Sequence, residues 1–172
     1  MSWGRAVAWV WVFALAGLAG TGGLDAAGAL LGLRPAPRTT ARVTTAVDGD
    51  TVHVLMGDRR ETVRYIGIDT PETVKPGIPP QCYGKRASHF NARLVEGRPV
   101  VLSFDRERRD RYGRLLAYVR LAAAPHTFVN AALVGGGYAT AFPFEPNTAH
   151  ASRFARLESR ARRRGLGLWG RC

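Results

Sequence analysis

The sequence predicts an α+β chain, mainly β: a five-stranded Greek-key barrel of the OB type with about three helices, preceded by a hydrophobic N-terminal segment. Three observations carry this. Short Val- and Thr-rich runs alternate apolar and polar residues between Asp/Gly turn signals. Apolar residues recur at helical spacing after residue 84 and again after residue 148. The order is three strands, a helix, two strands and then helices, which a closed Greek-key barrel accommodates. With 172 residues, 46% hydrophobic and 22% charged, the chain can bury one core and is not a disordered polymer.

The elements follow in order. Arg5 precedes the uncharged, mostly apolar run Ala6–Leu24, with small-x-small sites at Gly17–Ala19 and Ala27–Ala29. Residues 1–33 read as a secretory signal peptide or as a retained membrane anchor through residues 6–33, with a buried helix as the third reading. Either leading reading exports the domain, to be secreted or anchored at the outer face of the cytoplasmic membrane. Residues 34–42, with Pro35 and Pro37, read as a linker, and the domain spans 43–172. Arg42–Val47, Thr51–Met56 and Glu61–Ile68 read as a three-stranded meander around Asp48-Gly49-Asp50 and Gly57-Asp58. In the third, Val63, Tyr65 and Gly67 face one way and Arg64, Ile66 and Ile68 the other. A proline-rich loop leads to a helix over Lys85–Glu96, stopped by Gly97. Pro99–Phe104 and Leu115–Leu121 supply two more strands. A short helix covers Phe128–Val134. The last helix covers Ala149–Arg164, with Phe154, Leu157 and Ala161 as its apolar stripe and Arg153, Arg156, Arg160 and Arg163 as its wet face.

The formal net charge of +12 favours a polyanion such as nucleic acid, although a solubility role accounts for charge alone equally well. Three carboxylates, Asp48, Asp50 and Asp69, fall close together with Glu72 just after, at a hairpin turn and a strand end. Oxygen donors so placed suit a hard divalent cation, while Asp and Gly are also plain turn formers. Arg64 and Arg114 offer planar donor forks for phosphate oxygens. His53, His89, His126 and His150 lack metal-ligand spacing and read as structural or solvent-facing. No Gly-rich phosphate loop, zinc motif or serine-nucleophile elbow is present. Cys82 and Cys172 can form a disulfide in an exported protein or stand as two thiols.

Several blocks then carry a resemblance. Val47–Thr51, Val63–Thr73, Tyr83–Ala87, Asp110–Tyr118 and Asn130–Val134, with Pro146-Asn147 and Gly167–Trp169, resemble the staphylococcal nuclease family, in its order, over about 43–169. The resemblance implies a calcium-dependent nuclease acting on DNA and RNA and leaving 3′-phosphorylated products. It implies Asp50, Asp69 and the Thr70 carbonyl as calcium ligands, and Asp48 as a carboxylate behind them. Glu72 would position or activate the water, and Arg64 and Arg114 would clamp the phosphate. Arg111 and Tyr112 would contact the substrate, with Phe142 and Phe144 at the nucleotide pocket where the best-known member has tyrosines. Exported relatives look similar at the cysteines, which supports the disulfide. No obligate protein partner is implied, and the chain reads as a monomer. The competing reading is a non-catalytic nucleic-acid-binding module on the same barrel. Such a module loses acids and arginines, whereas here Asp50, Arg64, Asp69, Glu72 and Arg114 stand together.

Overall fold

A computed structural model of the protein describes residues 38–73, 77 and 79–172. Residues 1–33, read as a signal peptide or membrane anchor, and residues 34–37 lie outside the described residues. Among those described, no helix is long and apolar enough to cross a membrane.

Five strands close a barrel in the order β1-β2-β3-β6-β5: β1 Arg38–Ala46, β2 Thr51–Met56, β3 Arg59–Tyr65, β5 Pro99–Ser103 and β6 Leu115–Leu121. All neighbours are antiparallel except β3 and β6, which run parallel from Val63↔Leu115 to Tyr65↔Ala117. The period-2 pattern fills the interior, where Val43, Val52, Val54, Val63, Tyr65, Val100, Leu102 and Val119 are buried. β-branched residues dominate because a stiff Cβ packs well on a pleated surface.

Two boundaries differ from the sequence reading by more than two residues. The stretch read as a linker contributes its last five residues to β1, where Arg38–Arg42 pair with Ser103–Pro99 and close the barrel. Strand β3 ends at Tyr65 instead of Ile68. Gly67, at φ +77°, turns the chain, and the Phe154 ring occupies the space a Cβ would need, 2.8 Å away. Ile66 and Ile68 are therefore both buried rather than sharing a face with Arg64. After the turn, a two-residue strand β4 (Ile68–Asp69) pairs with β7 (Thr140–Ala141). Strands so short carry no readable period.

Helix α1 (Gly84–Val95) buries Ala87, Asn91 and Val95. Helix α2 (Val129–Gly135) packs against α3 (Ala151–Arg163), which buries Phe154 and Ala161 and leaves Arg153, Arg156, Arg160 and Arg163 exposed. A final turn, α4 (Leu168–Arg171), brings Cys172 to Cys82 in a disulfide that spans 90 residues, with Cα atoms 5.9 Å apart. In the chain-entropy model a loop of that length stabilises by about 4–5 kcal/mol.

His150 sits at the start of α3 in an aromatic cluster, edge-on to Tyr118 at 4.5 Å and to Phe128 at 5.0 Å. Burial lowers its pKa below the usual imidazole value. Arg120 and Arg153 push the same way, and Asp105 opposes them. The unfolded chain thus takes up a proton more readily, so stability present above pH about 6.5 is lost as pH falls towards the folded pKa. His150→Gln is expected to flatten the loss of melting temperature between about pH 7 and pH 5. A wild-type slope retained in the variant would assign that loss to other groups.

Candidate catalytic site

The Asp48-Gly49-Asp50 turn lies between β1 and β2. Asp48 Oδ1 accepts from Asp50 N at 2.9 Å, which shapes the turn. Gly49 lies beneath Thr70: a Cβ there would come 2.6 Å from Thr70 Oγ1. That closeness lets Thr70 reach Asp50. Its N–H and its hydroxyl both donate to Asp50 Oδ2, at 2.7 and 2.8 Å.

Arg64, near the end of β3, bridges the two candidate cation ligands. Its Nη1 lies 3.0 Å from Asp50 Oδ1 and its Nη2 lies 2.7 Å from Asp69 Oδ1. Nη1 also donates to Ile68 O at 3.0 Å, within the tight turn at Gly67. The β4–β7 pairing steadies Asp69, whose carbonyl accepts from Thr140 Oγ1 at 3.2 Å. The carboxylate of Asp69 is exposed, whereas Asp50 is only 4% exposed. Burial pushes the Asp50 carboxyl up to about 6. Arg64 pulls it down, Asp48 adds to the rise, and the Thr70 hydrogen bonds oppose it.

Asp48, Asp50, Arg64, Asp69, Thr70, Glu72 and Arg114 line one cavity of about 110 Å³. A larger cavity of about 510 Å³ shares Arg64 and Arg114 with it and adds Arg111, Tyr112, Phe142 and Phe144. Tyr112, Phe142 and Phe144 are 68%, 52% and 63% exposed, an unusual state for large rings unless something stacks on them. Arg111 donates to Tyr112 Oη at 2.8 Å. The guanidiniums of Arg111 and Arg114 lie 4.9 and 5.4 Å from the Tyr112 ring centroid. All the residues singled out in the sequence for cation, phosphate and substrate contacts thus fall in two adjoining cavities.

Other residues that shape the site had escaped the sequence reading. Asp110 Oδ2 accepts from Arg114 Nε at 2.7 Å, while its Oδ1 accepts from Arg114 N and Tyr112 N, each at 3.0 Å. The Arg114 fork is aimed by its own turn. Asn91 links α1 to the acidic turn, accepting from the buried Tyr65 hydroxyl at 3.0 Å and donating to Asp48 O at 2.9 Å. A polar residue on the apolar face of α1 was the signal that could have marked it. Gln81 N donates to Glu72 O at 2.8 Å, and Glu72 N donates to Gln81 Oε1 at 2.9 Å. The Glu72 carboxylate accepts from Thr73 N at 2.8 Å.

The donor set fits a hard divalent cation. Its donors are oxygens, with two carboxylates tied to one guanidinium and one of them buried enough to resist ionising alone. Among the described residues no three His, Cys, Asp or Glu converge as a metal cluster, so carbonyl oxygen and water would complete the shell.

The chain is similar to several known proteins. A family model described as staphylococcal nuclease homologue matches residues 62–171, from within β3 to the last helical turn. The thermonuclease of Staphylococcus hyicus is 38% identical over 138 residues, 80% of each chain. That of Staphylococcus intermedius is 40% identical over 129 residues, 75% of each chain. The endonuclease YncB of Bacillus subtilis is 41% identical over 128 residues, which cover 73% of this chain and 59% of that protein.

Tyr65→Phe leaves Asn91 Oδ1 without its buried donor and is expected to cost about 1–3 kcal/mol, measured by urea denaturation. A loss below about 0.5 kcal/mol would show that the Tyr65–Asn91–Asp48 chain is not what holds the acidic turn.

Proposed function

Because the chain belongs to the staphylococcal nuclease family, we propose that it is an exported, monomeric nuclease that hydrolyses phosphodiester bonds of DNA and RNA with calcium, leaving 3′-phosphorylated products. The observation that carries this reading is the single guanidinium of Arg64 spanning Asp50 and Asp69, in a cavity that also holds Glu72 and Arg114.

Each residue has a chemical task. Asp50, Asp69 and the Thr70 carbonyl would hold calcium, which supplies a Lewis acid to polarise a phosphoryl oxygen and offset its charge. Thr70 keeps Asp50 oriented through its two hydrogen bonds. Glu72 positions the attacking water and can take its proton. The water oxygen bonds to phosphorus as the bond to the 5′ oxygen breaks, and a proton passes to that leaving oxygen. Arg114 presents its donor fork, and Arg64, whose terminal nitrogens also hold Asp50 and Asp69, its remaining N–H groups, to the non-bridging oxygens, where charge builds up in the five-coordinate transition state. Asp110 binds Arg114 through Nε, which leaves the terminal nitrogens for phosphate. Tyr112, Phe142 and Phe144 offer stacking faces for a base, and a phenyl ring keeps that face while lacking the phenolic hydrogen bond of a tyrosine.

Export is proposed from the apolar run Ala6–Leu24, and the Cys82–Cys172 disulfide suits an oxidising compartment.

Digestion of linear DNA and RNA by the full chain, with calcium, with magnesium and with chelator, tests the reading. Both polymers should be cut with calcium and neither in chelator. Glu72→Ala should lower kcat by a factor of roughly 10² to 10⁴. Binding without cleavage under every cation would transfer the protein to the binding-module reading. Asp110→Asn should lower kcat/KM and leave the fold intact, since it disorients Arg114 without emptying the cavity. Unaltered kinetics in that variant would remove Asp110 from the machinery.

A further inference from the structure

A third cavity, of about 580 Å³, adjoins the Glu72 segment and is lined by Gln81, Cys82, Tyr83, Lys85, Arg86 and Arg171 together with Pro80. Gln81 belongs to both features, since its main chain and side chain each bond the Glu72 backbone. The lining holds three cations and no acidic side chain. Among the described residues Lys85, Arg86 and Arg171 have no carboxylate partner, whereas Arg59, Arg109, Arg114 and Arg162 each have one and Arg64 has two. All three cations are exposed. The Arg86 guanidinium lies 5.4 Å from the Tyr83 ring centroid, a stacking that keeps its N–H edges for an anion.

The cavity is assembled from distant parts of the chain. Lys85 and Arg86 open α1 and Arg171 ends α4, and the Cys82–Cys172 disulfide holds the two together. Like charges gathered without acids repel one another, and a polyanion relieves that repulsion. A concave, carboxylate-free basic surface beside the residue assigned to the attacking water fits the backbone of a chain that continues past the reacting phosphate.

We propose that this groove is a second phosphate-binding site, which takes backbone phosphates of the nucleic-acid substrate strand beyond the scissile linkage, and that the disulfide assembles it. The proposal rests on the nuclease reading for the identity of the strand. It predicts a length-dependent substrate preference: Arg86 and Arg171 serve polymers and leave the smallest phosphodiesters indifferent.

The test compares the wild-type chain with Arg86→Gln/Arg171→Gln. Binding of a labelled single-stranded oligonucleotide of about 20 residues is followed by anisotropy in chelator across a salt series. Losing two single-strand phosphate contacts should reduce the log–log salt slope by about 1.4 and weaken binding about tenfold near 0.1 M salt. With calcium, KM for the oligonucleotide should rise while hydrolysis of a dinucleoside-sized phosphodiester stays unchanged. Cys82→Ser/Cys172→Ser, checked for folding by circular dichroism, should lower the slope by about 0.7, because Arg171 leaves the groove while Arg86 stays on α1. An unchanged slope and KM in the arginine variant would overturn the proposal. Equal loss on long and short substrates would also overturn it, because the residues would then act through the Glu72 segment. A wild type that cuts neither substrate would refute the nuclease reading instead, and the anisotropy series would still decide the groove.

Discussion

Asp50 is an acid placed where an acid is expensive, and much of the surrounding structure offsets that cost. Its carboxylate lies at the end of a barrel strand, nearly out of solvent, and burial raises its pKa to about 6. Two donors from Thr70 and one guanidinium from Arg64 partly compensate. Each of these has its own support. Thr70 approaches because residue 49 is glycine, and Arg64 is held by the carbonyl of Ile68 across the Gly67 turn. Removing a partner from such a group leaves a buried charge uncompensated, so the site and the local fold are energetically one unit.

The barrel serves this unit by bringing chain segments together at fixed register. Pairing of β2 with β3 sets Thr51 opposite Arg64, and the parallel pairing of β3 with β6 brings the Asp110–Arg114 turn alongside. The Asp110 carboxylate then aims Arg114 by accepting from its N and its Nε, and fixes the turn by accepting from Tyr112 N. The outcome is a pair of guanidiniums whose directions are settled before any phosphate arrives. Such preorganisation is where electrostatic stabilisation of a developing charge derives most of its effect. The helices add a second layer, as Asn91 of α1 ties the acidic turn to the buried hydroxyl of Tyr65.

Charge divides the surface into roles. Cations near the acids are paired, as Arg64 and Arg114 are, and so have directions. Lys85, Arg86 and Arg171 are unpaired among the described residues and gathered in a concavity. In the proposed reading, the net charge of +12 acts in two ways, as aimed forks at the reacting phosphate and as a field for the rest of a polyanion.

Much of this was legible in the residues. Alternation of apolar and polar residues marked the first three barrel strands, since it follows directly from the pleat, and the apolar runs Pro99–Phe104 and Leu115–Leu121 marked the other two. The Asp48–Asp50 turn, Arg64, Asp69, Glu72 and Arg114 were legible as a set because their local motifs resemble those of a known family, whereas singly the acids read equally well as turn formers. The β4–β7 pair and the early start of β1 were not legible. Two residues are too few for a period, and Arg38–Arg42 become a strand only because β5 offers an edge to pair with. Sequence by itself determined the barrel, the candidate acids and arginines, and the sign of the charge, all properties of short windows and of composition. Only the tertiary structure decided that one guanidinium spans both carboxylates, that Asn91 and Gln81 support the site, and that Arg171 stands beside Arg86. Those relations join residues from 5 positions apart, Arg64 and Asp69, to 85 apart, Arg86 and Arg171, and the distances between them are set by packing and a disulfide that no local pattern encodes.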